Sequence, residues 1–429
     1  MVVKILATAD LHLGKSASGI SGNFEEISTK YTWWRIVDWS VRNKIDVLLL
    51  CGDIIDQDNR YFEAVGALQS GFEKLRQAGI TVCLVTGNHD HEVLYQIVGN
   101  RKYENVHLLG FNGKWEILPF EKDGCKIQFV GWSFPNRYVT RDPLISFGEI
   151  HPDPNSSVIG LLHGDVDNME SKYGPIGLNN LANVGVNLWI LGHIHKPQEL
   201  RKYAPSIWYP GSPHAMSAKE TGIHGPLLVS VEDSGNIMVT PVPLSPIRYE
   251  NLDIDITNIT NEAGIRDTVT SSVLNDAIGK LEELENVSLL IYDLHLTGQH
   301  ADTREVEAGA QLINEFEQEI ESGTRILVRK VTIDIRPAVQ NLEELAKQPS
   351  PAGILATTIL AIQNGNSTPF LEEFYKQWNY KQEDIINTGT YQPLRSTGRL
   401  ITGDDKAASD YILHECNRLL GELITQQEN

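Results

Sequence analysis

Five stretches of this chain follow one design, in which an apolar run of strand length stops abruptly at side chains able to hold a metal. Val2–Ala9 ends at Asp10-Leu-His12, and Asp46–Cys51 ends at Gly52-Asp53-Ile-Ile-Asp56. Thr81–Val85 ends at Thr86-Gly87-Asn88-His89-Asp90, Ser157–Leu162 at His163-Gly164, and Asn187–Leu191 at Gly192-His193-Ile-His195. Apolar runs of this length, bounded by turn residues, read as strands buried on both faces. Helical spacing separates the first three, over Tyr31–Arg42 and over Tyr61–Gly79 with Phe62, Val65, Leu68, Phe72 and Leu75. Strand–helix alternation predicts a layered α/β core, and open α/β sheets take their ligands at the C-terminal strand ends. Every polar run named above lies at such an end.

The donor chemistry is oxygen and nitrogen without thiolate. Carboxylates, one carboxamide and several imidazoles suit Mn²⁺, Fe²⁺ or Zn²⁺, and are too rich in imidazole for a Mg²⁺ or Ca²⁺ cage. His193 and His195 are two apart, so an extended backbone points both to one face. Singly, each run also reads as a turn with satisfied side chains; the recurrence at five strand ends carries the metal reading.

Downstream the pattern becomes β-rich, through Val106–Leu109, Trp115–Leu118, Lys126–Trp132, Ile207–Pro213, Pro226–Val231 and Ile237–Val242. Pro241-Val-Pro-Leu-Ser-Pro246 marks an expected domain exit. Two strand-like runs, Val287–Gln299 and Arg325–Arg336, flank an amphipathic helix expected over Thr303–Ser322. A linker-like patch, Gln348-Pro-Ser-Pro351, leads toward a last helix, Asp405–Gln427, with Ile412, Cys416, Leu419, Leu420 and Leu423 on one face. The expected division is a catalytic domain over 1–248, an α/β cap over 249–345 and a helical segment over 346–429.

With 429 residues, 41% hydrophobic and 21% charged, the chain has room for two or three ordinary globular domains. No run of about 18 apolar residues predicts a membrane span, and the N-terminus enters a strand-like run with no secretory pattern. Cys51, Cys83, Cys125 and Cys416 are scattered, as in a protein of the reducing cytoplasm. The net charge of −20 divides into −5 over residues 1–250 and −15 over 251–429. The acidity therefore belongs mostly to the C-terminal part, and predicts a solvated surface or a basic partner there.

Taken together, the five runs resemble the motif series of calcineurin-like metallophosphoesterases: Asp-x-His, Gly-Asp-x-x-Asp, Gly-Asn-His-Asp, His and Gly-His-x-His. Asp10-Leu-His-Leu-Gly14, the Gly-Asn-His-Asp variant and Tyr209-Pro-Gly-Ser-Pro213 are similar to SbcD-type DNA repair exonucleases, with a YhaO-like bacterial branch nearest. The likeness covers roughly residues 1–250. It implies an α/β fold, a four-layer α/β/β/α sandwich with a small α/β capping, DNA-binding domain and a helical C-terminal tail. It also implies two divalent ions, Mn²⁺ first and Fe²⁺ or Zn²⁺ as alternatives. One is held by Asp10, His12 and His195, the other by Asn88, His163 and His193, with Asp53 bridging. His89 is then a non-ligand catalytic group, supported by Asp56 or Asp90, in hydrolysis of a phosphodiester by a metal-activated water. DNA is the implied substrate, an SMC-like (SbcC-type) ATPase the implied partner through C-terminal helices, and a homodimer an open alternative.

Lys15, Arg137, Arg141 and Lys196 are candidate substrate contacts, equally at home as surface cations; Asn136–Arg141 interleaves basic and aromatic residues as strand-binding grooves do. Trp33, Trp34 and Trp39 are expected in core or interface. His91, His151, His214 and His224 read as loop histidines, with His214 a candidate for lining the pocket. The competing reading is a small-molecule phosphodiesterase or phosphatase on the same fold.

Overall fold

The computed structural model describes residues 2–15, 17, 25–56, 61–98, 103–257, 259, 261–300, 303–313, 316–337, 342–386 and 405–427. Strands without polar positions need cover on both faces, and two stacked sheets with helices outside supply it. Parallel strands β1 (Val2–Thr8), β2 (Val47–Cys51), β3 (Thr81–Val85) and β4 (Val106–Leu108) alternate with helices α1 (Thr29–Arg42), α2 (Tyr61–Gln77) and α3 (Val93–Val98). Next come β5 (Trp115–Lys122), β6 (Cys125–Trp132), β7 (Ser157–His163), the short pair β8 (Asp165–Val166) and β9 (Pro175–Ile176), and helix α4 (Leu178–Asn183). Strands β10 (Leu188–Gly192), β11 (Gln198–Arg201) and β12 (Ser206–Tyr209) follow, then β13 (Leu227–Glu232) and β14 (Ile237–Pro241).

The first sheet has the order β14-β13-β1-β2-β3-β4 and the second β11-β12-β10-β7-β6-β5. Both are mixed, with antiparallel strands only toward the edges. Their inner faces share one core, where Ile5, Leu49 and Val85 meet Phe129, Leu161 and Ile190. On the first sheet's outer face, Leu48, Leu50 and Leu84 pack under Trp33, Ile36, Leu68 and Phe72 of α1 and α2. On the second sheet's outer face, Trp132, Leu162 and Trp189 pack under Phe147 and Leu181. The four expected layers are present. Of the apolar positions expected along α2, the Phe62 side chain lies outside the described residues.

The chain divides into two compact units. One comprises Met1–Asn251, Asp276–Asp293 and Phe316–Arg329; the other comprises Leu252–Asn275, Leu294–Glu315 and Lys330–Asn429. A third sheet has β15 (Ile247–Asp255), β16 (Leu289–His300), β17 (Glu317–Glu319) and β18 (Arg325–Pro337) in the order β15-β16-β18-β17, with helices α5 (Glu262–Gly279) and α6 (Thr303–Ile313). The helix expected over Thr303–Ser322 is therefore too long. It stops at Ile313, and Glu317–Glu319 pair antiparallel with Arg325–Leu327 across a turn closed by the Gly323 N–H on the Ile320 carbonyl (2.8 Å). Helical charge spacing cannot foresee a hairpin that close.

Helices α7 (Leu342–Leu345), α8 (Pro351–Gln363), α9 (Pro369–Ile386) and α10 (Asp405–Gln427) complete the second unit. The patch read as a linker begins α8 instead: Ser350 accepts the Gly353 N–H at 3.1 Å, and Pro351 takes the first helical position, where its missing donor costs nothing. On α10, Ile412, Cys416 and Leu420 are buried with Ala356, Ile359 and Leu371, while Leu419 is 40% exposed. Most of the apolar stripe thus packs within its own unit. No helix among the described residues is long and apolar enough to cross a membrane.

Candidate metal centre

The loops after β1 and β2 stay paired beyond the strands, with Asp10 N–H on the Gly52 carbonyl (3.0 Å), His12 on Asp53 (2.9 Å) and Leu13 on Ile54 (2.9 Å). To turn side chains inward from this ladder, Asp10 (φ 50°), His12 (φ 44°) and Asp53 (φ 50°) adopt positive φ, as does His193 (φ 104°) after β10. Aspartate and histidine enter this region more readily than most residues, but His193 at φ 104° lies beyond the left-handed well, and strain of that kind gathers at functional sites. Gly52, itself at φ 86°, leaves space that a Cβ would close to 2.4 Å from His163 Nδ1. A Cβ on Gly87 would stand 2.2 Å from Asp53 Oδ1.

The expected ligands converge. Donor atoms of Asp10, His12 and His195 lie within 4.8 Å of one another, and so do those of Asp10, Asp53 and His163. Asn88 Oδ1 joins the second group at 3.2 Å from His163 Nε2, and Asp53 Oδ2 stands 3.4 Å from the same nitrogen. His193 is not in either group. Its N–H bonds both Asp10 oxygens at 3.1 Å, and its ring centroid lies 5.4 Å from that of His163.

The tautomers show what the cluster lacks. His163 Nδ1 faces the Cys51 carbonyl at 3.1 Å, and a carbonyl only accepts, so the proton is on Nδ1. Nε2 then turns a lone pair toward two further acceptors, Asn88 Oδ1 and Asp53 Oδ2. Likewise His195 Nδ1 faces Glu220 Oε1 at 3.2 Å, and its Nε2 meets His12 Nε2 at 3.1 Å. Neutral donors arranged so would repel, so a cation fits between them. Without a metal, protons must serve. Burial alone would lower the His163 pKa, but Asp53 beside it lifts it to about 9. Burial pushes Asp10 up. Burial opposes ionisation of Asp53 too, yet the neighbouring His163, His12 and His89 hold it well below the carboxylate range. Burial, with His163 nearby, takes His193 down to about 3, so its ring is neutral and able to ligate.

His89 stands apart from both groups of donors. Its N–H donates to Asp53 Oδ1 at 2.9 Å, and Nδ1 lies 3.0 Å from Asp56 Oδ1, whose pairing with the ring raises the His89 pKa against the effect of burial. Asp56 also faces His12 Nδ1 at 3.6 Å, in a third group with His12 and His89. Asp90 accepts the backbone N–H groups of Gly87 (2.8 Å) and Ile54 (2.6 Å), tying the loops after β2 and β3 together. Burial and the nearby Asp53 push its pKa up to about 7. It is a positioning group.

Of the basic candidates, Lys15 borders the site closely enough for its charge to act on Asp56, His89 and His195. Arg137 stacks over its neighbour Tyr138 at 5.7 Å, and Tyr138 meets Tyr173, whose ring lies 5.1 Å from that of His193. Arg141 and Lys196 are exposed. His214 and His224 lie in loops, as expected, and both are buried. His214 Nδ1 pairs with Thr32 Oγ1 at 2.8 Å, and His224 Nδ1 with the Ser212 carbonyl at 2.7 Å.

Two residues escaped the sequence reading. Glu220 orients His195 and is held by Ser212 Oγ and the Met216 N–H, both at 2.9 Å; burial opposes its charge, but these partners keep its pKa at about 2. Tyr173 lies over His193. Neither belongs to a strand-end run, so no local signal marks them.

Comparison with known proteins follows the same outline. A model described as Calcineurin-like phosphoesterase matches residues 3–197. The metallophosphoesterase YhaO of Bacillus subtilis (strain 168) is 32% identical over 284 residues, 64% of this chain and 67% of that protein. The DNA double-strand break repair protein Mre11 of Aeropyrum pernix is 25% identical over 275 residues, 59% of this chain and 64% of that protein. Among solved structures, a dimetal phosphatase from Danio rerio is 13% identical, with 53% of this chain and 92% of that one covered and a TM-score of 0.34.

Proposed function

Because the chain belongs to the calcineurin-like phosphoesterases, metal-dependent hydrolases, we propose that it is a nuclease that hydrolyses DNA phosphodiesters in a repair complex. The convergence of two donor groups on a shared, buried Asp10, with Asp53 between His12 (3.9 Å) and His163 (3.4 Å), carries the hydrolytic part of the reading. The Mre11 relatives, and the Arg137–Tyr138–Tyr173 track leading to His193, support DNA as the substrate.

Asp10, His12 and His195 would hold one divalent ion, Asn88, His163 and His193 the other, with Asp53 between; when bound, such a pair supplies Lewis acidity and an activated water. Mn²⁺ is the proposed metal. The chain's own residues do the rest. Asp56 favours a proton on His89 Nδ1 and stabilises the charged ring, so Nε2 can give a proton to the departing sugar oxygen. Lys15 offers its ammonium to a non-bridging phosphate oxygen. The proposal extends to a cytoplasmic complex with an SMC-like ATPase, for which the acidic surplus of residues 251–429 is the support.

The test is a Mn²⁺-supplemented assay on linear duplex DNA, single-stranded DNA and a chromogenic phosphodiester, with Asp53→Ala as control. Shortening of DNA that the control abolishes is expected. Cleavage of the small ester with DNA left intact would transfer the assignment to a small-molecule phosphodiesterase.

A further inference from the structure

The first two turns of α1 form one wall of a cleft of about 850 Å³, within the size range of small-molecule sites. Its described lining residues all belong to the first compact unit, and none of them is a member of the donor groups. Adjacent tryptophans show that this wall is not core. Trp33 is fully buried, its indole N–H on the Ala67 carbonyl (3.0 Å) and its ring edge-on to Phe72. Trp34, one residue on, is half-buried and lines the cleft with Tyr31, three residues before it on the same helix face. Arg35 covers one side of the Tyr31 ring at 5.5 Å and is itself fixed by Asn286 at 2.7 and 3.0 Å, so the ring is held in place.

Cations stand on both walls, Lys30 on α1 and Arg325 on β18, the latter 3.5 Å from Glu317. Aromatic faces beside cations recognise a planar heteroaromatic ring that carries an anion. The charge balance narrows the ligand. Glu26 and Glu319 also line the cleft and Glu317 pairs with Arg325, so three carboxylates stand near two cations. A triphosphate would be repelled there; a single phosphate can meet Lys30 and compete with Glu317 for Arg325, and the lining carboxylates can accept from sugar hydroxyls or a base amino group.

We propose that this cleft binds a nucleotide bearing a single phosphate, its base against Trp34 and Tyr31 and its phosphate toward Lys30 and Arg325. Such a nucleotide has two sources, a free nucleoside monophosphate or a unit of a single strand. The inference stands apart from the hydrolytic reading, because it is tested by binding in EDTA, where nothing turns over, and through Trp34 and Lys30, which belong to none of the donor groups.

Calorimetry on the full chain in EDTA would compare dAMP, an oligodeoxyadenylate, adenosine and inorganic phosphate. Binding of dAMP identifies the free nucleotide as the source, and binding of the oligonucleotide alone identifies a strand. In either case Trp34→Ala is expected to weaken binding about tenfold or more, Trp34→Phe to retain most of it, and Lys30→Glu to weaken it by a similar factor. Adenosine and phosphate should each bind more weakly than the nucleotide. Lys30 is exposed, so its variant keeps the test sound should Trp34→Ala melt early. Failure of both nucleotides to bind, affinities unchanged in Trp34→Ala and Lys30→Glu, or adenosine binding as tightly as dAMP would each overturn the proposal.

Discussion

His163 and His195 face the same donor cluster, yet one is anchored by the main chain and the other by a side chain. His163 is fully buried, and its Nδ1–H goes to a carbonyl at the end of a central strand. His195 keeps 27% of its side chain exposed and leans on Glu220, which depends in turn on Ser212 and Met216. A strand carbonyl cannot be removed by substitution; a carboxylate can. One half of the centre is therefore part of the sheet, while the other hangs on a loop, and ion exchange should be concentrated in that second half.

The largest effect is expected where the halves meet. Asp53→Ala should take metal-dependent hydrolysis to background and reduce bound metal on both sides, read by elemental analysis after gel filtration; two retained ions would break the shared-carboxylate picture. His89→Gln should retain both ions and lower turnover by about 10²–10⁴-fold. Unchanged turnover would remove His89 from the chemistry. Glu220→Gln sharpens the comparison most directly: one ion should weaken by about 10–100-fold in chelator competition while the other is unaffected. Equal weakening of both would mean that the halves are not separable. The smallest effect belongs to Lys15→Ala, expected to raise KM about two- to fivefold with kcat nearly constant, as befits a half-buried, solvent-screened charge contact.

The same division explains what could be read in the sequence. Asp10, Asp53, Asn88, His163 and His193 each follow an apolar run, and a strand end is a local feature that residue order records. The layered core was legible for the same reason, since Leu48–Leu50 and Val82–Val85 admit no exposed face. Glu220 was not legible. It reaches His195 through a loop whose course depends on Ser212 and Met216, and nothing in its neighbours' spacing announces that. The Glu317–Glu319 strand was hidden similarly, because Ile313, Phe316 and Ile320, three and four apart, fit a helix until the turn at Gly323 pairs the segment with Arg325–Leu327. Pro351 misled in the opposite direction, since a Pro-Ser-Pro patch suits a tether as well as a helix start.

Four of the eight non-glycine residues with positive φ among the described residues are Asp10, His12, Asp53 and His193. Each such conformation costs about 1–3 kcal/mol. Glycine at position 12 or 193 would relieve that cost and leave the surrounding sheets untouched. The backbone strain of the first unit is thus gathered at the residues offered as ligands, and the sheets that flank them hold it in place.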